Sequence, residues 1–242
     1  MSETENDIPL VSAITLTGRN NLSDLLNCIE CFKAQTYPYK ELIIINNARN
    51  QLAASELNIK AEKDIFLIDT PNELTTGMAR AHGMAAANGR IIAQFDVDYW
   101  HAPNRLETQI VNLGRQSAHI SVLSRCLGYS FVSGRARYHE NEKRAILGTM
   151  VHIRQAEINY QPDRDKNEEL GFLEDLTKKG YQPISIDSPE LCCKLNLTSE
   201  GRITTPINSG LSKAHFKTVQ EMLTNHHSPK NAAPEIPTTA EN

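Results

Sequence analysis

Asp96 and Asp98 stand one residue apart where the run Arg90 to Asp96 (RIIAQFD) ends. Carboxylates so placed can turn toward one hard divalent cation of the Mg or Mn kind, which takes one or two of them and fills its shell with diphosphate oxygens. An Asp-x-Asp is common in solvated acidic turns. What sets this one apart is its place after a buried-looking run, with Trp100 beside it. Two more polar clusters follow apolar runs: Thr17, Gly18 and Arg19 after LVSAITLT, and Asn46 with Asn47 in and after ELIIIN. If the runs are parallel strands the three clusters meet, because the ligand crevice of an open parallel sheet lies beyond the carboxyl ends of its strands.

The spacing of apolar residues supports such a sheet. Leu10 to Thr17, Glu41 to Asn46, Ile65 to Asp69 and Arg90 to Asp96 read as strands, and three consecutive Ile in the second mark it as buried on both faces. Between them, Leu22, Leu25, Leu26, Ile29 and Phe32 recur at helical spacing until Tyr37-Pro38, with Asn21 or Ser23 as the cap. Thr75 to Asn88 carries Met78, Ala81, His82, Ala85 and Ala86 on one face and stops at Gly89. Gln51 to Lys60 reads as a short helix, and Pro103 as the first residue of another that presents Leu106, Ile110 and Leu113. Ile120 to Leu123 and Leu147 to Ile153 are strands, a helix runs from Asn167 to Gly180, and Pro183 to Asp187 and Glu190 to Leu195 are extended. This is an α/β pattern: a mostly parallel sheet flanked by helices.

Composition narrows the function. The chain has 242 residues, with 25 Lys and Arg against 29 Asp and Glu, so its net charge of −4 gives no pull toward nucleic acid. No apolar run approaches the roughly 20 residues of a membrane span, and the polar start MSETEND lacks the pattern of a signal peptide. A cytoplasmic location is expected, or a peripheral one at the inner face of the membrane. Five cysteines do not suggest a disulfide framework. Cys28 and Cys31 with Cys192 and Cys193 could in principle hold zinc, but a CxxC on an apolar helix face is more in keeping with small buried hydrophobes.

Taken together and in order, QTYPYKELIII (Gln35 to Ile45), ARAHGMAAANGRIIAQFDVD (Ala79 to Asp98) and WHAPNRLETQ (Trp100 to Gln109) resemble the family 2 glycosyltransferases of the GT-A fold. The resemblance runs from about Pro9 to Leu191. It implies a nucleotide-diphosphate sugar as donor, UDP-linked as first choice, and a divalent cation, Mn or Mg, as cofactor. Thr17, Gly18 and Arg19 would then lie at the base and ribose. Asn46 and Asn47 stand where the family usually has Asp-Asp and would hold the base, since an amide matches an imide edge without adding charge. Arg80 would border the donor diphosphate, or be an exposed helix arginine. Asp98 would be the direct metal ligand and Asp96 a second one or a sugar contact, with Tyr99 in place of an acid often found there. The family's base is an acid of a Glu-Asp pair at the start of a late helix. Two pairs compete, Glu168-Glu169 and Glu174-Asp175. Glu169 lies in the first turn, where acids are favoured, and is preferred with Glu168 beside it, leaving Asp175 as runner-up.

The reading that follows is transfer of a single sugar to an acceptor hydroxyl with inversion, in polysaccharide or glycan biosynthesis; the acceptor, a glycan, a lipid-linked molecule or a protein, has no signature. A silent nucleotide-sugar-binding module and a sugar nucleotidyltransferase are the alternatives. The expected organisation is a flexible stretch 1–8, one domain over 9–224 with a nucleotide-binding half (9–116) and an acceptor half (117–224), and a disordered tail 225–242. Gly128 to Arg144 reads as a mobile basic loop whose Arg135, Arg137, Lys143 and Arg144 are solvated or approach a phosphorylated acceptor. His152 is either packed in the core or turned to the acceptor.

Overall fold

A computed structural model describes residues 8–17, 22–47, 55–57, 59–71, 74–130, 135–140 and 144–195, with 217, 218 and 221. Strands β1 (Val11–Leu16), β2 (Lys40–Asn46), β3 (Ile65–Asp69) and β4 (Ile91–Gln94) lie parallel in the order β3-β2-β1-β4. Alternation along β2 divides the core. Leu42 and Ile44 pack with Leu25, Ile29 and Phe32 of α1 (Leu22–Lys33), whereas Ile43 and Ile45 pack with Ala79 and Met84 of α2 (Thr76–Ala86). Burial on both faces is why three consecutive Ile suit this strand.

The rest of the chain extends this sheet and adds a second one. After β5 (Tyr99–His101) and α3 (Arg105–Arg115) come β6 (Ile120–Leu123), β7 (Arg125–Ser130), β8 (Arg135–Glu140) and β9 (Ile146–Ile153), then α4 (Glu168–Lys178), β10 (Pro183–Ile186) and β11 (Cys192–Lys194). The large sheet has the order β10-β6-β9-β4-β1-β2-β3, with β9 antiparallel to both of its neighbours. The small sheet has the order β5-β11-β7-β8. Phe172 and Leu176 of α4 pack on the α2 side, and Leu106 and Leu113 of α3 on the α1 side, so helices cover both faces.

Several expectations are corrected. Helix α3 starts at Arg105, not Pro103, because the Arg105 amide closes a turn onto Ala102 and the Pro103 carbonyl accepts from Thr36. The described part of 51–60 is turn, not helix. Gly128 to Arg144 is no basic loop throughout: Arg125–Ser130 pairs with Arg135–Glu140 in antiparallel register, with Gly128 opposite Arg137. Arg144 turns away to Asp187, 3.8 Å distant, and Lys143 lies outside the described residues. The cysteines are separately buried: Cys28 and Cys31 in the core under α1, and Cys192 and Cys193 on opposite faces of β11. The 225–242 tail lies outside the described residues.

Candidate active site

The turn after β4 is anchored on three sides. The Phe95 amide donates to the Ile14 carbonyl, the Tyr99 amide to the Asp96 carbonyl at 3.2 Å, and the Leu195 amide to the Asp98 carbonyl at 2.8 Å. Phe95 before the acids and Val97 between them are buried, whereas Asp96 and Asp98 stay partly exposed. Gly148 of β9 keeps that space open, since a Cβ there would come within 2.9 Å of Asp96 Oδ2.

Arg80, reaching from α2, organises the acids. Its Nε donates to Glu168 Oε1 at 3.1 Å, its Nη1 to Asp96 Oδ1 at 3.1 Å and to Gln94 Oε1, and its Nη2 to Glu169 Oε1 at 2.9 Å and Asp96 Oδ2 at 3.3 Å. Tyr160 lies under the guanidinium, 6.0 Å from ring centroid to Cζ, and its hydroxyl accepts from Gln94 Nε2. Phe172 stacks on Tyr160 at 4.2 Å. Glu168 and Glu169 reach Arg80 because the turn before α4 is held against α2: the Gly77 amide donates to the Arg164 carbonyl at 2.7 Å, and a Cβ at Gly77 would meet the Gln161 carbonyl at 2.1 Å. Glycine is required there by close approach of backbone to backbone.

One guanidinium faces three carboxylates, with Asp98 beside them, so negative charge is in excess. Burial pushes the Glu169 carboxyl up to about 7; Arg80 opposes the shift, while Asp96 and Glu168 add to it. Partial burial and then the Asp96 charge raise Asp98, whose side chain remains 45% exposed. Lys194 Nζ lies 3.6 Å from its Oδ2, and the Lys194 charge, then that of Arg80, oppose the shift. Burial works against the Arg80 charge, but Asp96 and Glu169 outweigh it and hold the guanidinium protonated.

Among the described residues no group of three or more His, Cys, Asp or Glu is arranged to hold a metal ion. The donor set nevertheless fits a Mg- or Mn-type cation: Asp98 is a hard, accessible oxygen ligand short of positive charge, and such ions take one or two carboxylates with the rest from water and diphosphate. Asp96 turns both oxygens to Arg80 and reaches a cation at Asp98 only by giving up part of that pairing.

The sequence-predicted residues thus fall into two groups. Arg80, Asp96, Asp98, Glu168 and Glu169 come together; Arg80, expected at a diphosphate or in solvent, is buried and engaged by acids. Asn46 and Asn47 turn inward. Asn46 donates to Asp69 Oδ1 at 2.6 Å and accepts from Thr17, while Asn47 donates to the Leu74 carbonyl and accepts from Thr70 and the Leu74 amide. Their amides tie strand ends together. Thr17 is buried, and Gly18 and Arg19 lie outside the described residues. Asp175 sits apart, bonded to Gln161 and Lys178, which hold its carboxyl below the usual range. His152 is packed at 5.0 Å against Phe172, and burial lowers it to about 4. Sequence reasoning missed Gln94, Tyr160, Asp69, His101, Arg105 and Lys194. The available signals were the acid ending IFLID, for Asp69, and the segment WHAPNRLETQ, for His101 and Arg105.

The model of the family described as "Glycosyl transferase family 2" matches residues 14–189. No curated protein matches the chain. Among solved structures, the mannosyltransferase PcManGT from Pyrobaculum calidifontis, in complex with GDP-Man and Mn2+, aligns at 13% identity and a TM-score of 0.60 over 81% of this chain. TarS from S. aureus, residues 1–349 with UDP, aligns at 13% identity and a TM-score of 0.60 over 92% of this chain and 73% of that one. The alignment spans 59% of the mannosyltransferase. These likenesses show the GT-A fold. With the family model matching most of its length, this chain belongs to glycosyl transferase family 2.

Proposed function

We propose that the chain transfers one sugar from a nucleotide-diphosphate sugar to an acceptor hydroxyl with inversion, assisted by a divalent cation. The observation that carries this reading is the Arg80 cluster: a carboxylate raised to about 7, Glu169, held beside the Asp96-Asp98 turn at the carboxyl ends of the strands. Glu169 accepts the acceptor's proton as its oxygen attacks the anomeric carbon from the face opposite the leaving diphosphate. Arg80 orients Glu169 and Asp96 and, with Glu168, fixes the start of α4. Asp98 would hold the cation, with Asp96 as a second candidate ligand. When bound, a Mn or Mg ion would neutralise charge developing on the departing diphosphate. No covalent intermediate on the protein is needed.

Asp69 is exposed beside Asn46 at the end of β3, where a carboxylate can accept from an N–H of a donor base, whether the ring N–H of uracil or guanine or an exocyclic amino group. UDP is the first choice, and the two solved relatives hold UDP and GDP-Man. The test is nucleotide release from UDP- and GDP-sugars with Mn2+ and with excess chelator. Metal-dependent release supports the proposal. Binding without release from any donor would favour a silent module, and full release in chelator would remove the cation from the reading.

A further inference from the structure

The segment Trp100 to Gln109 has no part in the chemistry above, yet it holds the most deeply buried cation. Arg105 is wholly buried, and no carboxylate among the described residues pairs with it. Leaving a guanidinium there is costly unless its hydrogens are used. They are: Nε donates to Gln109 Oε1 at 3.0 Å, Nη2 to the carbonyls of Gln94 at 2.7 Å and Thr149 at 3.2 Å, and Nη1 lies 2.7 Å from His101 Nδ1. A guanidinium can donate but not accept, so Nδ1 must present its lone pair. The Cys192 thiol, 3.6 Å from the same nitrogen, is compatible as a second donor. The proton of the neutral ring is therefore on Nε2, which lies 3.1 Å from the Asp96 carbonyl and donates to it. The other tautomer would set N–H against N–H at one nitrogen and lone pair against carbonyl at the other. The ring is held in place by Phe95, 3.9 Å away between centroids.

We propose that Arg105 and His101 are positioning residues for the metal turn: Arg105 fixes His101 as the Nε2–H tautomer, which clamps the Asp96 carbonyl and so aims the Asp96 and Asp98 carboxylates into the crevice. The carbonyls of Gln94 and Asp96, on either side of buried Phe95, are both held by this pair. The role rests on the reading of Asp96-Asp98 as a cation site. It explains why WHAPNRLETQ accompanies the acids without touching the crevice.

The direct test is the 15N–1H correlation pattern of histidine-labelled protein. A protonated Nε2 and a bare Nδ1 at His101 are expected, and a protonated Nδ1 would overturn the proposal. The second test is Mn2+ affinity in the presence of UDP, measured alongside thermal stability. His101→Phe keeps the ring's bulk but neither nitrogen and should weaken Mn2+ binding roughly 10- to 100-fold, as loss of an outer-shell partner typically does. His101→Gln restores a donor toward the Asp96 carbonyl and should recover most of that loss. Leu113→Ala, a core truncation under α3, controls for stability and should leave Mn2+ affinity within about twofold. Equal Mn2+ affinity in wild type and His101→Phe, or an equal loss in Leu113→Ala, overturns the role. If His101→Phe does not fold, Arg105→Lys in the same assay, with the wild-type tautomer, decides it: unchanged affinity overturns the role. Absence of Mn2+ binding to wild type overturns the cation reading together with this role, whereas binding indifferent to His101 overturns this role alone.

Discussion

The two ends of the crevice use polar side chains in opposite ways. At the ends of β1 and β2, Thr17 is bonded to Asn46, Asn46 to Asp69, and Asn47 to Thr70 and the Leu74 backbone, neutral donor to neutral acceptor for the most part. At the end of β4, Asp96, Asp98, Glu168 and Glu169 share Arg80 and Lys194, and acids outnumber cations. Among the described residues the first end is internally paired and ties the end of β2 to Thr70 and Leu74. The second keeps unneutralised negative charge, which adds to burial in raising Glu169 and Asp98. Polar residues stand at the carboxyl ends of several strands, and on the proposed function it is charge imbalance that separates the reacting end from the bracing one.

The largest expected effect lies at the charged end. Asp98→Ala should remove both Mn2+ dependence and turnover, a loss of roughly 10²- to 10³-fold if the carboxylate holds the ion that stabilises the leaving diphosphate. Steady-state nucleotide release with titrated Mn2+ measures it, and an Asp98→Ala protein as active as wild type would place the reacting end elsewhere.

Arg80→Met should come next. Removing one partner of a buried ionic cluster typically costs about 3 to 5 kcal/mol, because the remaining charges are left unpaired. Asp96, Glu168 and Glu169 would then repel one another, so the loss should be greater at pH 8 than at pH 5, where the carboxyls can take up protons. Urea denaturation at the two pH values reads this out, and equal losses would mean that Arg80 matters through packing alone.

Much of this was legible from particular residues. Ile43 to Ile45 mark a doubly buried strand, and the place of Glu169 in the first turn of α4 puts it in the turn that reaches Arg80, while its role as base belongs to the proposal. The small sheet was not legible. β5 and β11 are three residues each, too short for periodicity, and β8 reads RARYHE, with polar residues toward both faces. Arg80 could not be placed because its partners lie 14 to 89 positions away in sequence. Sequence alone does not show what Asn46 and Asn47 bond to, because an amide that suits a pyrimidine edge suits a backbone carbonyl equally well.

At the bracing end the effects should be smaller and of another kind. Asn47→Ala removes a donor and an acceptor that hold the Thr70 to Leu74 segment and should cost about 1 to 3 kcal/mol of stability, with donor affinity little changed. Thermal denaturation paired with nucleotide titration separates the two. A large fall in nucleotide affinity without loss of stability would return Asn47 to the base pocket.

The pH dependence reads out Glu169 itself. Glu169 must be ionised to accept a proton, so turnover should rise through about pH 7 and level off above it. Its raised carboxyl also acts on stability. The unfolded group titrates near 4.5, so its contribution is fully present below that and lost as pH rises through about 7. A pH–rate profile flat from pH 5 to 8 would contradict the assignment.

The most direct measurement is single-turnover transfer, or donor hydrolysis, by Glu169→Gln set beside its donor affinity. The expected result is a loss of roughly 10² to 10⁴ in the chemical step with donor binding nearly intact, while Asp175→Asn behaves as wild type. Near-normal turnover in Glu169→Gln with a large loss in Asp175→Asn would contradict it, and would move the base away from the Arg80 cluster to the far side of α4.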